Sequence, residues 1–291
     1  NDTILVSPGT YYENIVINEK NLSLISQEGE IATIIDGGMN APVLSLHNID
    51  NDFIINGFTI QNGSGQIING ASYGGGIFSN NSMLIINNLI IKNNTAFAGG
   101  GICFYSTQES NKYPSINNTT IKNNLASEGG GIFSVNHSLT INNTNIIENG
   151  MDLFGSGGGI QFLLGYLELD NILISRNETK FGGGIYISNS TANFTNTIIE
   201  ENYSDSKGGG IWIGGQTDLS LYRNVITRNQ STGFGGGIFV SISEINILNS
   251  NIVGNIIDNN VSGAGIYMDG GNAIINNSII YKNENGDLNI F

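Results

Sequence analysis

A run of three glycines leading into an isoleucine recurs along this chain. GGGI begins at Gly74, Gly99, Gly129, Gly157, Gly182, Gly208 and Gly235, and the variant GAGI at Gly263. The isoleucines that close these phrases are Ile77, Ile102, Ile132, Ile160, Ile185, Ile211, Ile238 and Ile266, spaced by 25, 30, 28, 25, 26, 27 and 28 residues. Self-similarity at such a period is the mark of a solenoid. Within each period three short β-rich runs alternate with turn residues, as in GGGIFS, MLIIN and LIIKN between Gly74 and Asn93. These runs are too short to fold back on one another as hairpins, so each is expected to pair in parallel with its copy one coil later.

Asparagine supports the same reading. The chain carries 46 Asn beside 41 Gly and only 3 Pro, and helix-period apolar stripes are missing. Aligning the periods on the Asn that closes the third run gives Asn62, Asn93, Asn123, Asn149, Asn177, Asn202, Asn229, Asn255 and Asn283. Six residues earlier lies a second column, Asn56, Asn87, Asn117, Asn143, Asn171, Asn196, Arg223, Asn249 and Asn277. At tight corners Asn tolerates left-handed backbone, and stacked amides can pass hydrogen bonds along the axis. Between the columns, Ile90, Thr120, Ile146, Ile174, Ile199, Ile226, Ile252 and Ile280 are expected to point inward. Glycosylation sequons such as Asn93-Asn94-Thr95 and Asn202-Tyr203-Ser204 recur, and most are expected on the ladder, where a buried amide cannot carry a glycan; Asn80, Asn136 and Asn189 are the accessible exceptions.

Before Gly74 the phrasing loosens but stays β, through TILV, NIVI, LSLIS, ATIID, VLSLH and FIINGFTI, with no linker. The expectation is one all-β domain over 1–291, a three-sheet parallel β-helix of about 11 coils and about 50 Å in length.

The stretch NDTILVSPGTYYENIVI, followed by LSLISQEGEIATIIDGG and by GFTIQNG leading into GGGI units, resembles the right-handed parallel β-helix repeats of the pectate-lyase-like superfold. The alternation of GGGI with NNTA, NNLAS and RNQS is similar to the GGAI and FxxN repeats of polymorphic outer-membrane autotransporter passengers, and to large bacterial and archaeal adhesin-like surface proteins. This resemblance implies a right-handed coil but little about function, because the superfold carries lyases, hydrolases, adhesins and phage spikes alike. It also implies capping segments that are not visible here, so the expectation is a piece of a longer chain or a chain whose ends are covered by neighbours.

Composition narrows the function classes. Asp and Glu outnumber Lys and Arg by 24 to 10, a net charge of −14, which disfavours nucleic acid and anionic membrane as partners. No apolar run approaches membrane-spanning length, so direct membrane insertion of this segment is not expected. Cys103 is the single cysteine, and His47 and His137, read as surface or turn residues, are too few for a metal cluster. No metal or cofactor is expected: no acidic ligand spacing recurs with the period, and neither GxGxxG nor GxxxxGK opens a helix.

Lyases and hydrolases of the resembled superfold are built around a Lys or Arg base with Ca²⁺-binding carboxylates, or around paired aspartates with GHG and RxK segments. No Asp-Asp pair, GHG or RxK occurs here, so no catalytic residue is carried over. The densest acidic stretch, Glu200, Glu201, Asp205 and Asp218 with Arg223 and Arg228, reads better as register-setting charge pairs. The residues just before the closing Asn run Lys92, Lys122, Glu148, Arg176, Glu201, Arg228, Gly254 and Lys282, with opposite signs on successive coils from 122 to 228.

The position after each isoleucine is more distinctive. Strand alternation turns it outward, and it holds Phe78, Cys103, Phe133, Gln161, Tyr186, Trp212, Phe239 and Tyr267. Six of the eight are aromatic in a chain that is 9% aromatic, which calls for an explanation. Stacking between neighbouring coils is one. A face for sugar rings or partner side chains, made by Phe78, Phe133, Tyr186, Trp212, Phe239 and Tyr267, is the other. The next residues, Ser79, Phe104, Ser134, Phe162, Ile187, Ile213, Val240 and Met268, are expected to form an inward row.

The reading from sequence is therefore a non-catalytic, prokaryotic extracellular or cell-surface β-helix, an adhesin-like stalk whose partner is a polysaccharide or the surface protein of a host or neighbouring cell. The rival is a polysaccharide lyase or glycoside hydrolase working in the groove along the helix. A purely structural module is the third reading.

Overall fold

A computed structural model describes residues 2–258 and 263–290, with residues 151–153 described at the backbone alone. The chain winds as a parallel β-solenoid in which each run is hydrogen-bonded to its equivalent one period later. Ile77–Asn80 pairs with Ile102–Tyr105, which pairs with Ile132–Val135, and so on through Ile160–Leu163, Ile185–Ser188 and Ile211–Gly214. The third runs build an 11-stranded sheet from Gly9–Tyr12 to Ile279–Tyr281, matching the coil count expected from the period.

Three parallel sheets are present, as expected, but the runs are not divided one to a sheet. First and second runs belong to a single 20-stranded sheet, because the continuous strands Ile238–Leu248 and Ile266–Asn276 run through both positions. The third parallel sheet has five strands, Gly150–Ser156, Glu178–Phe181, Tyr203–Lys207, Gln230–Ser231 and Ile256–Ile257, drawn from the segment between the closing Asn and the glycines. In earlier coils that segment pairs only through isolated bridges such as Thr95 with Leu125 and Ala98 with Glu128. A short antiparallel hairpin, Gln66–Ile68 with Ala71–Tyr73, precedes the first glycine triplet.

The core follows the period. All eight isoleucines that close the glycine phrases are fully buried, and Ser79, Phe104, Ser134, Phe162, Ile187, Ile213, Val240 and Met268 form the inward row. Small and large alternate where Ser79, Phe104, Ser134 and Phe162 stack in register, so each phenylalanine fills the space its serine neighbours leave. The inward row of the third run is Ile146, Ile174, Ile199, Ile226 and Ile252, as expected, with Ile280 partly buried. In the two coils before these, Ile91 and Ile121 occupy the row, whereas Ile90 and Thr120 are only half-buried.

The same one-residue correction applies to the asparagine columns. The buried ladder runs through Asn94 and Asn124, not Asn93 and Asn123, and its earlier neighbour is Gly63, not Asn62. Asn62, Asn93 and Asn123 belong to the left-handed corner, with φ of 57°, 55° and 53°, in line with Glu148, Arg176, Glu201 and Arg228. In the second column Asn56, Asn87 and Asn117 are strand residues, and the corners are Gly57, Asn88 and Asn118 before Asn143, Asn171 and Asn196. Doublets such as Asn93-Asn94 make either residue fit a composition column. Only the pleat decides, because a shift of one flips inside and outside. The exposed Asn93 is thus a sequon off the ladder, whereas Asn202 is buried on it.

From Asn94 to Asn283 the ladder is saturated. Each Nδ2 donates to the Oδ1 of the next ladder Asn at 2.9 to 3.1 Å, and also to a third-run carbonyl of the preceding coil, as Asn124 does to Ile91 at 3.0 Å. Each Oδ1 also accepts a backbone N–H, and Asp287 closes the series by accepting from Asn283. At about 0.5 to 1.5 kcal/mol net per bond, with every buried partner satisfied, this interior polar column stabilises instead of burdening the core. The glycine strip and the ladder are one device. A Cβ on Gly184 would lie 2.6 Å from the Gly210 carbonyl oxygen and 3.1 Å from Asn202 Nδ2, so the third glycine makes room for the amide. The first glycine of the same triplet, Gly182, takes the left-handed turn with φ of 64°.

Candidate functional site

The glycine turn sets two columns of side chains beside each other. After it comes the expected outward series, whose in-register pairing from Phe78 to Tyr267 places one member on every coil. Before it comes a column missed in the sequence, Tyr73, Ala98, Glu128, Ser156, Phe181, Lys207 and Phe234, linked coil to coil. Its signal was available, since each member directly precedes a glycine triplet, but the varied residue types concealed it.

In the first coils the outward series is sealed. Phe78 and Cys103 are fully buried and Phe133 is 8% exposed, in a second apolar cluster with Ala98 packed against by Ile68, Tyr73, Tyr105, Val135 and Leu163. Tyr73 from the hairpin lies 5.4 Å from the Tyr105 ring and 6.5 Å from Phe133. Phe78 and Phe133, expected to belong to an outward ligand face, are therefore covered, because Tyr73 from the hairpin and Tyr105, Val135 and Leu163 from adjacent coils close over that side. Burial pushes the Cys103 thiol pKa far upward, which leaves it an inert apolar filler.

In the later coils Tyr186, Trp212 and Tyr267 stand half-buried. Tyr186 and Trp212 stack with centroids 4.1 Å apart and planes 1° from parallel, and Trp212, Phe239 and Tyr267 continue the stack at 6.2 and 5.6 Å. A spacing below the rise of one coil means that Tyr186 and Trp212 face each other along the rod and turn their edges to solvent. Phe239 is only 2% exposed, packed between its neighbours with Phe234 and with the Lys207 ammonium 4.6 Å from its centroid. The indole leans over Gly214, where a Cβ would approach it to 2.5 Å. Burial, then the nearby Glu128 carboxylate, raises the Tyr186 hydroxyl pKa.

The acidic stretch does not converge into one cluster. Glu148, Arg176, Glu201 and Arg228 form an exposed zipper along the corner, with contacts of 3.0, 3.8 and 3.0 Å, and Glu200 also meets Arg228. Lys122 stands one position off this line, where Asn123 takes the corner. Asp218 lies on the 20-stranded sheet, opposite Glu244 on the next coil, and Arg223 packs on the Tyr222 ring at 4.7 Å. Among the described residues no group of three or more His, Cys, Asp and Glu could hold a metal ion.

Neither histidine is a surface residue. His47 is half-buried beside Phe78, and His137, although at a turn, is 1% exposed. His137 Nδ1 lies 3.0 Å from the Val135 carbonyl, so its neutral proton sits there, and Nε2 finds no partner among the described residues. Asn80 and Asn136 are half-buried and Asn189 is exposed. Against family models, curated proteins and solved structures, the chain shows no significant match.

Proposed function

We propose that this chain is a non-catalytic β-helix domain of a prokaryotic extracellular or cell-surface protein of adhesin type, a rigid stalk that offers one ring-bearing face to a glycan or to a surface protein. The observation that carries the reading is the half-buried stack of Tyr186 and Trp212, set at one register on a continuous core and left open by the small neighbours Ser188 and Gly214. Rings held by a sheet lose little freedom on binding, and their edges and polar tips suit the mixed C–H and hydroxyl surface of a sugar. Within the expected series, Tyr186, Trp212 and Tyr267 are the members this reading retains.

Trp212 is the only tryptophan, so its fluorescence reports on this face alone. Titration with a panel of neutral, acidic and amino glycans is expected to shift its emission, and Tyr186→Ala with Trp212→Ala is expected to weaken calorimetric affinity by about tenfold or more. Unchanged binding by the folded double variant would remove the face from the reading.

A second reading, a polysaccharide lyase or glycoside hydrolase, draws on Asp218 and Glu244, which stand opposite each other on adjacent coils and line a shallow groove with Ser220, Asn246 and Asn272. Unsaturated products or new reducing ends from a polysaccharide panel, abolished by Asp218→Asn, would put that reading in place of the first.

A further inference from the structure

Two departures from the repeat meet over one corner of the rod. The first is the hairpin Gln66–Ile68 with Ala71–Tyr73, whose tip holds Asn69 and Gly70 in the left-handed region, with φ of 50° and 86°. The second lies in the longest period. Residues 106–114 join Ile102–Tyr105 to Ser115–Asn117, whereas residues 81–83 make the same connection one coil earlier. Insertions into a solenoid repeat collect as loops on one face, often the binding face. With Asn48 and Asn81, at left-handed corners with φ of 53° and 46°, and the strand residue Asn80, hairpin and loop line a cleft of about 490 Å³. That is within the size range of small-ligand sites.

The loop side of the cleft is tied down. The Ser106 hydroxyl donates to the Gln108 carbonyl at 2.7 Å, Asn136 Nδ2 donates to the Ser106 carbonyl at 2.8 Å, and the Ser110 N–H donates to the Asn136 carbonyl at 2.9 Å. Farther along, Lys112 reaches back to the Asp50 carboxylate at 2.7 Å, with its side chain only 12% exposed. A loop fixed in this way loses little freedom when a ligand binds.

Five side-chain amides line the cleft, those of Asn48, Asn69, Asn80, Asn81 and Gln108, and none of them hydrogen-bonds to another described residue. Each offers two donors and an acceptor. The ladder amides are saturated inside the core, whereas these stand half-buried or exposed around one opening. Tyr105 supplies a half-buried ring, set against Tyr73 at 5.4 Å and Phe78 at 6.4 Å. Ile68 is the single aliphatic member of the lining and Glu109 the single charge. An apolar side chain therefore finds little to pack on, and a carboxylate or sulfate finds no cation. We propose that this cleft binds the end of a neutral oligosaccharide, whose vicinal hydroxyls exchange hydrogen bonds with the amides of Asn69, Asn81 and Gln108 while a pyranose face rests on Tyr105. Glu109 accepts from a further hydroxyl in a charge-assisted bond. The cleft shares no residue with the ring face of Tyr186 and Trp212.

The test is NMR titration of the isotope-labelled full chain with a β-linked glucose tetramer, an α-linked mannose tetramer, a galacturonate tetramer and an alanine tetrapeptide, following the side-chain amide signals. At least one neutral tetramer is expected to move the signals of Asn69 and Gln108, assigned by their loss in Asn69→Gly and Gln108→Ala. It is expected to bind about tenfold or more tighter than the galacturonate tetramer and the peptide. Glycine keeps the left-handed turn and Gln108 is exposed, so the double variant should keep the parent melting temperature while affinity falls about tenfold or more. Should the double variant melt lower, Gln108→Ala alone decides, and unchanged affinity in it would overturn the inference. Equal or tighter binding of the galacturonate or the peptide, neutral binding that the double variant leaves unaltered, or no binding of either neutral tetramer would also overturn it. Binding lost in Trp212→Ala but kept in the double variant would overturn it while leaving the ring face standing.

Discussion

Two stretches of one side-chain column, built from the same slot of the same repeat, have opposite fates. Phe78, Cys103 and Phe133 are sealed into an apolar cluster, whereas Tyr186, Trp212 and Tyr267 remain half open to solvent. The slot itself is identical, outward and one residue beyond a buried isoleucine. What differs is the packing from adjacent coils: Tyr105, Val135 and Leu163 lie against the early cluster, whereas the residues two beyond Tyr186 and Trp212 are the small Ser188 and Gly214. Tyr73, from the early hairpin, closes the remaining side. A repeat sets where a ring emerges, and its neighbours decide whether that ring is core or surface.

The sharpest way to break this comparison is paired truncation. Phe78→Ala is expected to destabilise by about 3 to 5 kcal/mol, as for other fully buried aromatics, and Tyr186→Ala by about 1 kcal/mol or less. Urea midpoints for the two variants measure the gap, and equal losses would mean that both stretches belong to the core. A smaller effect separates the halves by pH. Burial holds the His137 imidazole below its ordinary 6.5, against the opposing pull of the Val135 carbonyl. The folded state therefore keeps His137 neutral while the unfolded chain takes up a proton near 6.5, so this stability is complete above that pH. It is lost on acidification at up to about 1.4 kcal/mol per pH unit until the folded pKa is reached. His47, also shifted downward by burial, adds in the same direction. Denaturant midpoints at about pH 7.5 and about pH 5.5 should differ less in His137→Leu than in the parent chain, and an undiminished difference would assign the acid sensitivity elsewhere. Hydrogen exchange should show the sealed coils around His137 opening first.

The smallest effect concerns the corner zipper, which runs past both kinds of coil. Arg176 and its partners Glu148 and Glu201 are 40 to 50% exposed, so Arg176→Ala is expected to lower stability by a few tenths of a kcal/mol. That difference should fade in about 1 M salt, where the screening length is only about 3 Å. A loss as large as that of Phe78→Ala would show that corner charge, and not ring cover, sets the stability of the coils.

Much of this was legible in one dimension, for a physical reason. Solenoid contacts repeat at a fixed sequence separation, so the isoleucine row, the aromatic column and the ladder from Asn149 onward could be read as columns of text. The reading slipped by one at Asn93-Asn94 and Asn123-Asn124, where an asparagine doublet satisfies both the left-handed corner and the ladder. It missed the column of Tyr73, Glu128 and Lys207, because no common residue type marks it. The interlock of Gly184 with Asn202 was also invisible, since glycine and asparagine were read as separate turn formers.

The sequence by itself determined the coil, its period, the inward isoleucines and the outward aromatic slot, because all of these follow from alternation along a strand and repetition between strands. Only the tertiary structure decided which rings are covered, that His137 is interior, and that Asn69 and Gln108 line one cleft. Those outcomes depend on side chains that reach across one or two coils, as Tyr73 does to Tyr105 and Phe133, and on packing around an asymmetric neighbourhood that no periodic pattern encodes.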